Sequence, residues 1–194
     1  MKYLYNNWFK STLPLAVGAL IFLLVFDVQS NWPLFLIGIQ CVVYFLHQFE
    51  EYIYPGGFIR FFNNKPLQST RDNYPLNEKA SFWINIPIIF IAYPLSAILS
   101  GHYHISIGIW LAYFSIINAL SHVAMFFKFG YNPGLIVSIF LNIPVGVYTV
   151  YYFHSHELVT FTEQAIGFGI GIIIQASIMY YGFKVLKPKV SNNN

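Results

Sequence analysis

Two groups of polar residues interrupt apolar stretches of the chain, and both contain residue types that bind metals or transfer protons. The first group is the run HQFEE from His47 to Glu51, and the second is Asn118 with His122. Successive helical residues are about 100° apart, so His47, Glu50 and Glu51 share one face of a helix. Asn118 and His122, four residues apart, also share a face. The two groups can therefore meet if their helices lie side by side.

Two histidines with one or two carboxylates are a familiar ligand set for zinc or non-haem iron, because imidazole nitrogen and carboxylate oxygen suit both metals. We predict that His47, His122 and Glu50 bind a divalent metal, Zn or Fe. Glu51 would be a further ligand or a general base, and Asn118 would orient a water or a substrate oxygen. Such a site could activate water for attack on an ester, amide or phosphoester, or support an oxidation.

The same polar cluster has two other interpretations. It could be the proton or cation relay of a transporter, or a hydrogen-bonded clamp in a non-catalytic membrane assembly protein. A carrier needs polar groups through the other half of the membrane as well, where Asn142 and a few Ser and Thr are the candidates. A one-sided enzyme site is therefore favoured. A membrane lipid or lipid-linked substrate is expected, because it can arrive sideways between helices, but no residue specifies it or the oligomeric state.

The composition places these residues in a membrane protein. Hydrophobic residues make up 57% of the chain and charged residues 9%, and the mean hydropathy is +0.56. Soluble domains carry about 25% charged residues, so this chain cannot cover a water-facing surface. Ten Lys and Arg are too few for a nucleic-acid surface. Cys41 is the single cysteine, which excludes an intrachain disulfide. It lies in an apolar run, which favours a small buried thiol.

An all-α transmembrane bundle follows from the lengths of the apolar stretches. A helix needs about 20 apolar residues to cross about 30 Å of hydrocarbon, and six segments qualify. They form one domain over residues 1–194. Prolines within the spans are expected to kink two of the helices, Pro87 and Pro94 the third span and Pro144 the fifth. The six predicted spans are about Trp8 to Phe26, Trp32 to Tyr54, Ser81 to Leu99, Ile105 to Phe127, Asn132 to Phe153 and Glu163 to Leu186.

The positive charges predict the orientation. All ten Lys and Arg fall in connections on one side of the six-span arrangement, so both termini are predicted to be cytoplasmic in a multi-pass protein of the cytoplasmic membrane. The second and fourth spans then run toward the cytoplasm, which puts both polar groups at one depth. The longest connection, residues 55–80, mixes Gly and Pro with Phe58, Phe61 and Phe62, and is predicted to be an interfacial cytoplasmic loop that covers what lies beneath it.

The first span is interpreted as a membrane helix rather than a signal peptide. Val28-Gln29-Ser30 is a poor small-residue cleavage site. Asp27 and Asn31 are expected to form a tight turn and a helix cap between the first two spans.

Three motifs in this order resemble the HXXEE family of prokaryotic membrane proteins. They are the run from His47 to Glu51, Asn118 with His122 as Asn-x-x-x-His, and the tetrapeptide YNPG at residues 131–134 with Pro144 ten residues after its glycine. The resemblance covers about His47 to Pro144, and three spaced motifs together are specific. It implies the site residues and the membrane topology but no reaction.

The chain departs from that family pattern at one point. The pattern has Thr-Ala where this chain has Val137 and Ser138, so the hydroxyl expected at position 137 is missing or displaced by one residue. Pro133 is suited to the first turn of the fifth helix. Tyr131 could bond a carboxylate of the cluster, as a further catalytic candidate, or belong to the aromatic belt at the membrane interface, and the belt is favoured.

The opposite end of the predicted bundle carries its own histidines. His102, His104, His154 and His156 lie in two short connections, with Glu157 beside the last of them. They could bind a metal if the connections touch. Simple solvation is the expected state for histidines in short exposed loops.

Overall fold

The computed structural model describes residues 1–191, in which the long elements are helices and no strand occurs. Within these residues six helices are long and apolar enough to cross a membrane, which confirms the predicted all-helical architecture and the number and order of the spans. The elements, with their irregular turns included, are α1 (Lys2–Val25), α2 (Trp32–Tyr52), the short α3 (Phe58–Asn64), α4 (Glu78–His102), α5 (Ile105–Phe129), α6 (Leu135–Ser155) and α7 (Phe161–Val190).

The helix α2 lies at the centre of the bundle and is the most buried of the six spans. It forms a hairpin with α1 through a short turn in which Asp27 is left-handed (φ 52°). The side chain of Asn31 accepts a hydrogen bond from the Leu34 amide at 3.3 Å and caps α2. Both predictions for this turn are confirmed. The other faces of α2 contact α4, α5 and α6, so polar residues on α2 find partners inside protein rather than in lipid.

In the part of the chain that the structure describes, wide π-helical turns replace regular α-helix at three places. Ile86–Ala92 in α4 and Ser138–Asn142 in α6 directly precede or include the in-span prolines, and Tyr181–Leu186 lies in α7. A proline removes one amide donor and crowds the carbonyl four residues before it, which a wider turn relieves. The expected helix disturbance at the prolines is therefore present as π-helical widening.

The fifth span begins at Leu135 rather than at Asn132, and Pro133 precedes the helix instead of forming its first turn. The reason is a tight turn before the helix, in which Gly134 has a φ of +97°. The side chain of Asn132 is fully buried and bonds to α5 instead of starting α6. This turn brings the start of α6 to the end of the bundle where α2 and α5 end, which we call the site end.

The connection between α2 and α4 packs over the site end. Asn63 is fully buried and ties the connection together, donating to the carbonyls of Asp72 and Leu76 at 2.9 and 2.8 Å and accepting from the Leu76 amide at 2.9 Å. A small apolar cluster forms beneath it. Its buried members are Phe62, Leu67, Leu76 and Leu186.

Candidate functional site

Three buried residues from the two predicted groups meet at the site end. His47 and Glu51 come from α2 and His122 from α5, and their exposed fractions are 0, 5 and 2%. The Glu51 Oε1 atom lies 3.7 Å from His47 Nε2 and 3.4 Å from His122 Nε2. One potential ligand atom from each residue lies within 4.8 Å of the others, so the group could hold a metal ion. The two imidazole rings stand edge to face, with centroids 4.7 Å apart.

Asn132 fixes the orientation of His122. Its side-chain nitrogen donates to the His122 carbonyl at 3.0 Å, so its Oδ1 atom faces His122 Nδ1 at 2.7 Å. Because that oxygen can only accept, Nδ1 must carry the hydrogen. In a neutral imidazole the lone pair is then on Nε2, the atom that faces Glu51. This is the arrangement in which an outer partner prepares a histidine to bind a metal.

His47 has a different environment. Its Nε2 atom is buried and has no hydrogen-bond partner, while Nδ1 lies 3.4 Å from the Ser138 hydroxyl. Buried polar atoms without a partner are rare in native proteins and call for an explanation such as a bound water or ion. Ser138 thus carries the hydroxyl that the family pattern has at position 137, displaced by one residue. Val137 instead supplies a backbone amide to Glu50.

Gly134 lies directly against both imidazoles. A Cβ atom placed at this position would come within 2.7 Å of His122 Cε1 and 2.9 Å of His47 Cε1. Its φ of +97° is also a conformation that L-residues rarely adopt. The turn before α6 therefore requires glycine at position 134 for two reasons: the backbone conformation and the close approach to the histidines.

The spacing of the three residues fits metal ligands better than direct hydrogen bonds. Ligands at about 2.1 Å from a tetrahedral zinc lie about 3.4 Å from one another. A charge-assisted bond between imidazolium and carboxylate is about 2.7–2.9 Å long. The observed 3.4 and 3.7 Å are closer to the first value, and the donor set of two nitrogens and one carboxylate suits zinc or iron.

Glu50 lies outside this group, although the sequence predicts it as a ligand. Its Oε1 accepts from the Tyr131 hydroxyl and the Ile136 amide, both at 3.1 Å, and its Oε2 accepts from the Val137 amide at 2.7 Å. These amides are among the unpaired donors at the start of α6, where a negative charge is favourable. Glu50 therefore caps α6, and the group that could hold an ion consists of His47, Glu51 and His122.

Tyr131 therefore contacts a carboxylate, and this contact goes against the interpretation as a purely interfacial tyrosine. Partial burial and the neighbouring Glu50 carboxylate raise the pKa of Tyr131 to about 12. The phenol consequently remains a donor to Glu50 at ordinary pH. Its contact is with the cap of α6 and not with the metal-binding group.

Asn118 faces a cavity rather than the histidines. Its Nδ2 donates to Gln175 Oε1 on α7 at 3.2 Å, and its Oδ1 is buried without a hydrogen-bond partner. The cavity has a volume of about 70 Å³ and lies between α2, α4, α5 and α7. Glu51, His122 and Gln48 also line it. Asn118 thus shares the cavity with the cluster without contacting it.

Phe58, in the connection that follows α2, lines the cavity. Its ring centroid lies 5.7 Å from that of His122 and 5.6 Å from that of Phe62. The predicted covering of the site by this connection is thus seen in its contacts. The location of the connection at a cytoplasmic interface stays a prediction.

Gln48 is a residue whose role the sequence did not reveal. Its Nε2 donates to Glu51 Oε2 at 2.8 Å, which leaves Oε1 of Glu51 directed at the two imidazoles. Asn132, Gly134 and Ser138 were also without an assigned role. The YNPG motif contained a signal for two of them, Asn132 and Gly134, because Asn, Pro and Gly are typical turn residues.

The histidines at the opposite end do not form a comparable group within residues 1–191. His104 Nδ1 lies 2.7 Å from the Ser106 hydroxyl and 3.4 Å from Glu163 Oε1. His154 bonds to Gln164 at 3.3 Å, and the ring of His156 stacks on Tyr152 at 3.9 Å. Each of these three has a separate local partner.

A buried polar seam continues from the site toward the middle of α2 and α6. Asn142 donates to Ser115 at 2.8 Å, which confirms the interhelical bond predicted for Asn142. Beyond it, Gln40 donates to Thr149 at 2.9 Å. The side-chain oxygens of Gln40 and Asn142 have no hydrogen-bond partner. The sequence analysis did not count Gln40, so the part of the bundle beyond the site is more polar than expected.

The fold and the cluster define a helical, membrane-type protein with a buried His-Glu-His group. Residues 38–149 match the model of a family described as "Protein of unknown function with HXXEE motif". This is more than half of the chain, so the chain belongs to the HXXEE family, and the resemblance noted in the sequence is confirmed. No curated protein and no solved structure matches the chain.

Proposed function

We propose that this protein is a metal-dependent membrane enzyme that acts on a lipid or lipid-linked substrate. His47, Glu51 and His122 would hold one divalent ion, Zn or Fe. The observation that carries the proposal is the position of the two Nε2 atoms. The Nε2 atoms of His122 and His47 lie 3.4 and 3.7 Å from the same carboxylate oxygen of Glu51, and the Nε2 of His47 has no other partner.

The chemistry follows from three protein ligands and the adjacent cavity. A divalent metal in such a site polarises a bound water or substrate oxygen. Asn132 holds His122 in the required tautomer, and Gln48 holds Glu51 in place. The ring of Phe58 packs against His122. Such an apolar neighbour would limit access of bulk water and so strengthen electrostatic interactions inside the cavity. Hydrolysis would add water across an ester, amide or phosphoester of the substrate. An iron site would favour oxidation instead.

The membrane setting supports a lipidic substrate. The cavity lies between four apolar helices, so a molecule dissolved in the bilayer can approach it without crossing water. We propose that the protein resides in the cytoplasmic membrane with the site end on the cytoplasmic side, where the sequence places all ten Lys and Arg.

Metal content tests the proposal directly. Untagged protein is purified in detergent, and zinc and iron are measured by mass spectrometry. Wild type is expected to hold about one ion per chain, and a His47→Ala, His122→Ala variant to hold none. The matched control is a His102→Ala, His156→Ala variant, which also lacks two histidines and should retain the ion. If the first variant does not fold, His47→Gln provides a milder change. Metal-free wild type, after purification with added zinc or ferrous iron, would contradict the proposal.

A transporter is the second candidate, and the buried polar seam favours it. Gln40, Asn142, Ser115 and Thr149 extend polar contacts beyond the site, and a proton relay needs such groups. Wild type would then move protons into liposomes without bound metal. An Asn142→Leu variant would lose that flux. Flux equal to that of empty liposomes would exclude this candidate.

A further inference from the structure

The cavity beside Glu51 and His122 has a thin side wall between α4 and α7. The helix α7 packs mainly along α5 and shares little backbone contact with α4. Three side chains, Ile84, Tyr181 and Leu186, line both the cavity and an open groove on the outer surface of the bundle. These side chains therefore separate the cavity from the groove.

Other features favour this wall as the route of access. Both helices beside it carry a π-helical segment, Ile86–Ala92 in α4 and Tyr181–Leu186 in α7, and such segments are frequent at functional sites. The connection over the site end is closed by contrast. Hydrogen bonds of the buried Asn63 side chain hold this connection in place. The apolar cluster that includes Phe62 and Leu67 packs beneath it. On the side between α4 and α7, the side chains of Ile84, Tyr181 and Leu186 line both the cavity and the groove.

The groove has the chemistry of a site for an anionic head group. It has a volume of about 430 Å³, and Asn77, Lys79, Trp83 and Lys189 contribute to its lining. Trp83 is 54% exposed, and exposed tryptophans in membrane proteins concentrate at the level of the lipid head groups. Lysines at that level attract anionic lipids. The groove therefore combines apolar walls for acyl chains with positive charge for a phosphate.

The cavity has acceptors that need donors. Gln48 Oε1 and Asn118 Oδ1 are buried without hydrogen-bond partners, and both residues line the cavity. Gln48 is 2% exposed. A ligand with hydroxyl groups would satisfy both oxygens. The volume of about 70 Å³ leaves room for roughly five waters or for the few atoms of a small polyol, since one water needs about 10–15 Å³.

We propose that the protein binds an anionic phospholipid with a hydroxyl-bearing head group, which enters sideways between α4 and α7. Its phosphate lies in the groove beside Lys79, and its hydroxyls donate to Gln48 and Asn118 in the cavity. The role of this lipid as substrate rests on the proposed function. Its binding involves none of the three candidate metal ligands.

Native mass spectrometry of delipidated protein tests the binding with three probes. Phosphatidylglycerol is anionic and has alcohol hydroxyls in its head group, phosphatidic acid is anionic without an alcohol hydroxyl, and phosphatidylcholine is zwitterionic. Retention is expected to fall in that order. Lys79→Ala should lower phosphatidylglycerol retention about fivefold, whereas the control Lys128→Ala, a lysine outside the groove, should leave it unchanged. A Gln48→Leu, Asn118→Leu variant should reduce it to the level of phosphatidic acid.

Equal retention of phosphatidylglycerol and phosphatidylcholine would overturn the proposal, as would equal effects of the two lysine variants. If the double leucine variant does not fold, Ile84→Trp, which fills the gap between α4 and α7, should lower retention of phosphatidylglycerol. Repeating the measurement with the His47→Ala, His122→Ala variant separates this proposal from the proposed function. If wild type and variant both bind phosphatidylglycerol selectively but wild type holds no metal, the lipid site stands and the proposed function fails. If wild type holds metal but shows no lipid selectivity, the proposed function stands and the lipid site fails.

Discussion

At the scale of single residues, Gly134 controls the distance between the start of α6 and both imidazoles. Gly134→Ala places a methyl group within 3 Å of each ring, so the rings must move and the metal content should fall severalfold. Gly130→Ala is the matched control. Gly130 also has a positive φ, +79°, but open space around its Cβ position, so it introduces backbone strain without contact with the histidines. Equal metal loss in the two variants would mean that strain alone is responsible.

Asn132 should affect the affinity of the proposed metal site without being essential for its formation. Asn132→Leu removes the acceptor that holds the hydrogen on His122 Nδ1 and leaves the His122 carbonyl without this donor. We expect metal affinity to fall about 10–100-fold, as is usual when a partner of a ligating histidine is lost. Competition with a chelator of known affinity measures this. A variant with unchanged affinity would show that Asn132 has only a structural role.

At the scale of elements, Glu50 should stabilise α6 without contributing to metal binding. Glu50→Gln exchanges a carboxylate that accepts three hydrogen bonds for an amide whose nitrogen cannot accept. The free energy of unfolding should fall by about 1–3 kcal/mol, with the metal content unchanged. Thermal unfolding in detergent and elemental analysis measure the two effects. Loss of metal at full stability would restore Glu50 to the ligand set.

A smaller change at the same cap supplies the control. Tyr131→Phe removes one of the three hydrogen bonds to Glu50, at its Oε1 atom, and leaves the backbone amides in place. Its expected effect is therefore smaller, about 0.5–1.5 kcal/mol. An effect of Tyr131→Phe larger than that of Glu50→Gln would point to a role of the phenol outside the cap.

At the scale of the whole molecule, the positive charges predict which end faces the cytoplasm. The only cysteine, Cys41, is 6% exposed, so the wild type is a suitable unlabelled background. Tyr103→Cys, at a position 77% exposed between α4 and α5, should react with an impermeant maleimide on intact cells. Arg71→Cys, in the connection before α4, should react only after permeabilisation. The reverse pattern would place the site end outside.

The sequence by itself determined the class of protein, the six helices and the shared depth of the two polar groups. These follow from quantities that lie along the chain: the length of apolar runs, the spacing of residues on a helix, and the positions of Lys and Arg. The motif around His47 and His122 likewise needs no tertiary information. The family match confirms that part of the reasoning.

Only the tertiary structure decided which carboxylate faces the histidines. Glu50 and Glu51 are adjacent on one face of α2, so helical geometry could not choose between them. The choice comes from α6, whose unpaired amides at its start take up Glu50 and leave Glu51 for the imidazoles. In the same way Asn118 turns to Gln175 on α7 instead of the cluster. Hydrogen-bond partners on distant segments make these assignments, and no local pattern encodes them.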